Sequence, residues 1–190
     1  MGAGYFSNAG AFLVNTVFGL YIGAVMLRLL LQWARADFYN PLSQAIVKVT
    51  NPVLRPLRRY IPALGKVDTA SVVLIFVLQF LNTWLVSALF GTHLGGLTML
   101  IVSFTELLSK LIYLYIFAIV IQAIASWVAP SAHNPVLRLI EALTEPLLRP
   151  VRQLLPNLGG LDLSPLVVIV LLQLALLLVV APLADLGALH

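Results

Sequence analysis

The chain has 190 residues, 61% of them apolar and 9% charged, with a net charge of +4 and a mean hydropathy of +1.03. Soluble domains carry about 25% charged residues, so this composition excludes a water-soluble globule, a disordered chain and a nucleic-acid-binding domain. It describes a membrane protein, without cysteine and therefore without disulfides, thiolate metal sites or thiol chemistry.

The N-terminus shows no basic n-region, and its apolar stretch is too long for a signal-peptide core. Met1-Gly2 resembles a myristoylation start, but Phe6 stands where Ser or Thr is wanted. The stretch therefore reads as a retained span over about residues 11–33, close to the roughly 20 apolar residues a bilayer crossing needs. Trp33 closes it, as an interfacial aromatic does. A basic, Pro-rich connector follows over residues 35–68, then a second span over about 69–90 and a turn at Gly91–Gly96. The third span is expected over about 107–128, closed by Trp127, the second connector over 130–163 and the fourth span over about 164–183. The fold class is all-α, with four transmembrane helices.

A shift of 94 residues superimposes the two halves without gaps. Asn40-Pro41 meets Asn134-Pro135, Pro52 meets Pro146, Arg55-Pro56 meets Arg149-Pro150, and Arg58 meets Arg152. Pro62 meets Pro156, Leu64-Gly65 meets Leu158-Gly159, and Asp68 meets Asp162. Between Asn40 and Asp68, 13 of 29 positions are identical. The chain is thus a duplication, residues 1–96 and 97–190, and two spans per unit make the copies parallel repeats.

Most of the Lys and Arg falls in the connectors, including Arg55, Arg58, Arg59, Arg138, Arg149 and Arg152. The positive-inside rule puts both connectors in the cytoplasm and both termini outside. Along Asn134–Pro156 the charges at Arg138, Glu141, Glu145, Arg149 and Arg152 form one helical stripe beside Leu139, Ile140, Leu143, Leu147 and Leu148. Such a strip suits a helix in the headgroup plane. Asn40 and Asn134 precede prolines at first helical positions. Pro52 and Pro146 are expected to divide each connector into two short helices, with Pro56 and Pro150 at the start of the second or kinking it, and Pro62 and Pro156 ending it. Asp68 and Asp162 are expected to cap the next span.

The arginines could hold a specific anionic ligand or partner, or only attract anionic headgroups at about 1 kcal/mol per basic residue. Gln79 and Gln173 sit near mid-span, where they could line a permeation path or form interhelical hydrogen bonds. Arg28 lies close enough to the basic boundary to snorkel, and its repeat mate is Gln122, so its charge stands outside the duplicated plan. Glu106 and Lys110 form an i, i+4 pair at the outer end of span three. His93, His133 and His190 are too far apart for ligand spacing, and no Walker, Rossmann or HExxH pattern occurs. Neither a metal, a cofactor nor an enzyme activity is expected.

The connector pattern, repeated after two spans that each end in Trp, resembles the YggT family, also called YlmG. Thr144–Pro150, TEPLLRP, is its most typical stretch; the first copy reads TNPVLRP, which leaves Glu145 free for an added role. The resemblance implies a bacterial inner-membrane protein without established catalysis. Members are linked to osmotic-stress tolerance and potassium uptake, and plastid and cyanobacterial relatives to cytochrome b–f haem attachment, division or nucleoid distribution. The function expected is an assembly, scaffolding or organising factor. Its partners would be the bilayer, anionic headgroups and membrane proteins, with a homo-oligomer possible and nucleic acid excluded. The alternative is an ion-conducting channel or channel subunit.

Overall fold

A computed structural model describes residues 3–65, 67–128, 134–155 and 162–188. The described chain forms α1 (Ala3–Trp33), α2 (Pro41–Tyr60), α3 (Thr69–Leu89), α4 (Gly96–Val128), α5 (Pro135–Leu154), α6 (Ser164–Ala175) and α7 (Ala181–Ala188). A π-helical turn, Leu176–Val180, runs α6 into α7 as one column and sits just before Pro182, whose ring cannot follow a regular turn. Four columns, α1, α3, α4 and α6–α7, are long and apolar enough to cross a membrane, so this is a multi-pass membrane protein.

α1 and α4 start earlier than the sequence led us to expect, at Ala3 and Gly96 rather than near residues 11 and 107. No proline interrupts Tyr5–Phe12 or Leu97–Phe104, and the single Gly10 is tolerated, so each helix continues. At 1.5 Å per residue α4 is about 50 Å long, beyond the roughly 30 Å of hydrocarbon in a bilayer. Glu106 and Lys110, paired at 2.9 Å, consequently lie about 15–20 Å along α4 rather than at its end.

The helix ends follow local chemistry. Past α3, Gly91 adopts φ +67°; its N–H reaches Ala88 O and the Thr92 N–H reaches Ser87 O, closing a Schellman motif. α1 ends in the same motif, with the Arg35 N–H on Gln32 O and the Ala36 N–H on Leu31 O. Here the left-handed position, φ 52°, is occupied by arginine. Gly65, at φ +62°, turns the α2–α3 loop, in which Pro62 is exposed and the Leu64 N–H donates to Thr69 Oγ1.

The connectors are single helices, which corrects the expected break. α2 carries Pro52 and Pro56 inside it and α5 carries Pro146 and Pro150. An interior proline removes one i→i−4 bond, but all four prolines lie on exposed surface, away from the face packed on the spans. The opposite faces, with Ile46, Thr50 and Leu54 on α2 and Leu139, Leu143, Thr144 and Leu148 on α5, are buried against the spans. Pro41 and Pro135 open the helices, and the side chains of Asn40 and Asn134 accept the Leu42 and Val136 N–H groups.

Both connectors sit at one end of the bundle. Ile46 of α2 and Leu139 and Leu143 of α5 share a cluster with Leu31 of α1 and Tyr115 and Ala118 of α4. Asn40, buried, also donates from Nδ2 to Pro135 O at 2.5 Å, tying the start of one connector to the start of the other. Within each repeat the packing is duplicated in detail. Val25, Leu54 and Leu74 join α1, α2 and α3 in one cluster. Their mates, Ile119, Leu148 and Val168, join α4, α5 and α6 in another. Leu54 and Leu148 are both 0% exposed.

Candidate functional site

The exposed faces of the connectors were expected to present six arginines. The structure sorts these into two groups. Arg58 and Arg152 are held within the fold. Arg58 forms a two-point ion pair with Asp68, through Nη2 to Oδ2 and through Nε to Oδ1 at 3.3 Å. Asp68 is 4% exposed and also accepts the Ser71 hydroxyl. Arg152 bridges Asp162 at 3.0 Å and Glu145 at 3.2 Å. Arg55, Arg59, Arg138 and Arg149 are exposed and make no ion pair among the described residues.

This arrangement corrects two expectations. Asp68 makes no side-chain cap bond to α3; its carboxylate takes Arg58 and the Ser71 hydroxyl. Asp162 does meet its helix, accepting the Ser164 N–H at 2.9 Å. Burial pushes both carboxyls up, but hydrogen bonds and the facing guanidinium outweigh it and hold each below its ordinary value. Glu145, which has no counterpart in the first repeat, is a partner of Arg152.

Arg28 has partners within the fold. Its Nη1 donates to Thr50 Oγ1 at 2.6 Å and to Asn51 Oδ1 at 3.0 Å, fastening α1 to α2. The mate of Arg28, Gln122, bonds the mate of Thr50, Thr144, in the second repeat. The duplicated feature is therefore the bond from span to connector, and the charge is a variation on it. From sequence, Thr50-Asn51 and Thr144-Glu145 were expected to cap second helices at Pro52 and Pro146; instead both threonines lie inside continuous helices and are fully buried.

Beside Arg28 a cavity of about 540 Å³ opens between α1, α2 and the α2–α3 loop. Arg28, Arg35 and Arg58 line it against a single carboxylate, Asp68, while Leu31, Phe38 and Ile46 form an apolar wall.

A second cavity, of about 520 Å³, lies between α1, α3 and α4 and is polar although it is set among spans. Asn82 Nδ2 donates to Asn15 Oδ1 at 3.0 Å, Gln79 Nε2 to Thr83 Oγ1 at 3.4 Å, and the Ser103 hydroxyl to Thr83 at 3.3 Å. Gln79 Oε1 and Asn82 Oδ1 are buried and have no partner among the described residues. Glu106 and Lys110 complete the lining. The i, i+3, i+4 and i+8 spacing of Gln79, Asn82, Thr83 and Ser87 is the signal that could have located this stripe from sequence. Gln173, the mate of Gln79, is exposed on α6, so the two glutamines have different surroundings in the single chain.

Trp33 is exposed at the end of α1. The Trp127 side chain, Lys66, Pro156 and Leu158-Gly159 lie outside the described residues, as do Met1-Gly2, His133 and His190.

Comparison with known proteins agrees with the duplication. A sequence model of the CCB3/YggT family matches residues 7–89 and again 101–183, the same 94-residue offset. The chain is 46% identical over 180 residues to an uncharacterised protein of Pseudomonas aeruginosa, covering 94% of this chain and 91% of that one. It is 41% identical over 170 residues to the uncharacterised protein YggT of Escherichia coli, covering 87% and 86%. A Haemophilus influenzae protein, also uncharacterised, is 35% identical over 162 residues, covering 85% and 86%. No solved structure matches significantly.

Proposed function

The chain belongs to the CCB3/YggT family, and from that premise we propose that it is a non-enzymatic assembly or organising factor of the bacterial inner membrane. One observation carries this reading. Two amphipathic helices are fastened to the spans at one end of the bundle, and each turns unpaired arginines outward. The nearby ion pairs and the Arg28 bond hold these helices rigidly, as a docking surface requires. The excess of Lys and Arg orients this end to the cytoplasm, with both termini outside. Anionic headgroups and acidic faces of membrane proteins, a second copy of this chain among them, are the partners the surface fits.

Reversing Arg55, Arg59, Arg138 and Arg149 to Glu leaves the Arg58 and Arg152 ion pairs in place. The quadruple variant should insert normally, yet lose the species that crosslink to the wild-type chain in native membranes. An unchanged crosslinking pattern removes the proposal.

The polar cavity favours a second reading, ion conduction, which fits the link of the resemblance to potassium uptake and osmotic tolerance. Two unpartnered amide oxygens within a span are the kind of groups that replace part of an ion's hydration. Reconstituted chain should then pass potassium into liposomes above the protein-free rate, with loss in Gln79→Leu and no loss in Gln173→Leu. Equal flux with and without protein removes this reading.

A further inference from the structure

We propose that the cavity between α1, α2 and the α2–α3 loop is a binding site for the phosphate of an anionic glycerophospholipid headgroup. The proposal goes beyond the docking surface, since the site lies under the connector and not on its outer face, and it rests only on that end of the bundle meeting the headgroups.

Charge is the first argument. Arg28, Arg35 and Arg58 face the cavity against Asp68 alone. Arg28 uses only Nη1 for Thr50 and Asn51, and Arg58 uses Nε and Nη2 for Asp68. Their remaining N–H groups, and all of those on Arg35, have no protein acceptor among the described residues. Guanidinium groups with donors to spare are phosphate ligands.

The duplication supplies the second argument, because it shows the same span-to-connector bond made without a charge. At the matching positions the second repeat has Gln122 for Arg28 and Glu145 for Asn51. A positive side chain is replaced by a neutral amide at one position, and a neutral amide by a carboxylate at the other. Arg152 is there matched by two carboxylates, whereas Arg58 has one. The fold tolerates a neutral amide at this site, so the arginine is not there to close the helix contact.

Backbone conformation adds a third. Arg35 occupies the left-handed position that terminates α1, where glycine is the ordinary choice. A non-glycine side chain in that strained position, beside a cationic cavity, points to a role for the side chain itself. The apolar wall of Leu31, Phe38 and Ile46 then selects the source of the phosphate, since a free anion gains nothing from it and the glycerol and first acyl carbons of a lipid do.

The test is a titration of the full chain in mild detergent with phosphatidylglycerol, followed by native mass spectrometry. Phosphatidylcholine and inorganic phosphate are the comparison probes. Arg28→Gln reproduces the Gln122–Thr144 bond and so preserves the fold, and Arg35→Gly relieves the left-handed arginine. Each should weaken phosphatidylglycerol binding by about tenfold or more, the effect of losing a charge-assisted hydrogen bond. Arg35→Gly should at the same time raise the melting temperature, which a merely structural arginine would not allow. Wild-type affinity in both variants overturns the site, as does equal binding of phosphatidylcholine. Displacement of the lipid by inorganic phosphate at equal affinity overturns the lipid assignment in favour of a soluble anion. Both variants keep Arg55, Arg59, Arg138 and Arg149, so the crosslinks to partners should persist; their fate reports on the docking surface and not on this cavity.

Discussion

Arg58→Ala is expected to destabilise the solubilised chain by about 2–4 kcal/mol, while Arg152→Ala costs under about 1 kcal/mol. The two arginines occupy equivalent positions and face equivalent aspartates, and although Arg152 also meets Glu145, burial of the aspartate makes the larger difference. The Asp68 side chain is 5% exposed and would be left charged and unpartnered by a guanidinium, whereas the Asp162 side chain is 43% exposed and would be hydrated. Arg58 is itself 37% exposed, which places the effect below the full range for an interior ion pair. Denaturation followed by helical signal in mixed micelles would measure both variants, and equal losses would contradict the burial argument. Adding Asp68→Asn to Arg58→Ala should recover part of the loss, since no lone buried charge then remains. Acid gives the same contrast. The native Asp68 carboxyl lies below its unfolded value of 3.8 because Arg58 and Ser71 outweigh burial. The contribution of the pair is therefore complete above pH 3.8 and is lost as pH falls through the lower native value. Without Arg58 that acid-dependent loss should vanish.

Leu54→Ala and Leu148→Ala should each cost about 3 kcal/mol, the middle of the range for emptying a filled core position. Both side chains are fully buried, each between two spans of its own repeat. Lipid is as apolar as leucine, so the loss comes from the cavity and the broken contacts and little from transfer. Leu54→Met, which keeps the volume, should cost under about 1.5 kcal/mol, and Val53→Ala on the exposed face under about 0.5 kcal/mol. The same micelle denaturation reads all four. A small effect at Leu54 would mean that α2 is held by its polar bonds alone.

The spans, the repeat and the connector helices were legible because each rests on a local pattern: a run of apolar residues, a fixed shift, a helical stripe. What escaped was whatever depends on partners far along the chain. Arg28 reads as a boundary charge until Thr50 is seen beneath it. Arg58 and Arg152 read as free surface cations until Asp68 and Asp162 return across the loop to meet them. The prolines of α2 and α5 read as breaks because sequence alone does not show that all four fall on the outward face, where a lost backbone bond costs little. Gln79 and Gln173 read alike since they are equivalent in the repeat. Their neighbourhoods differ because α3 packs against both α1 and α4, whereas α6 packs on α4 and α5 and leaves Gln173 uncovered.

The bond from position 28 or 122 to its threonine is made by a guanidinium in one half and by an amide in the other. A guanidinium that donates and an amide oxygen that accepts, differing by a full charge, thus serve one joint. The joint itself therefore needs no charge, since one half makes it with a neutral amide. A symmetric frame of this kind can carry different electrical character in its two halves while both keep the same geometry.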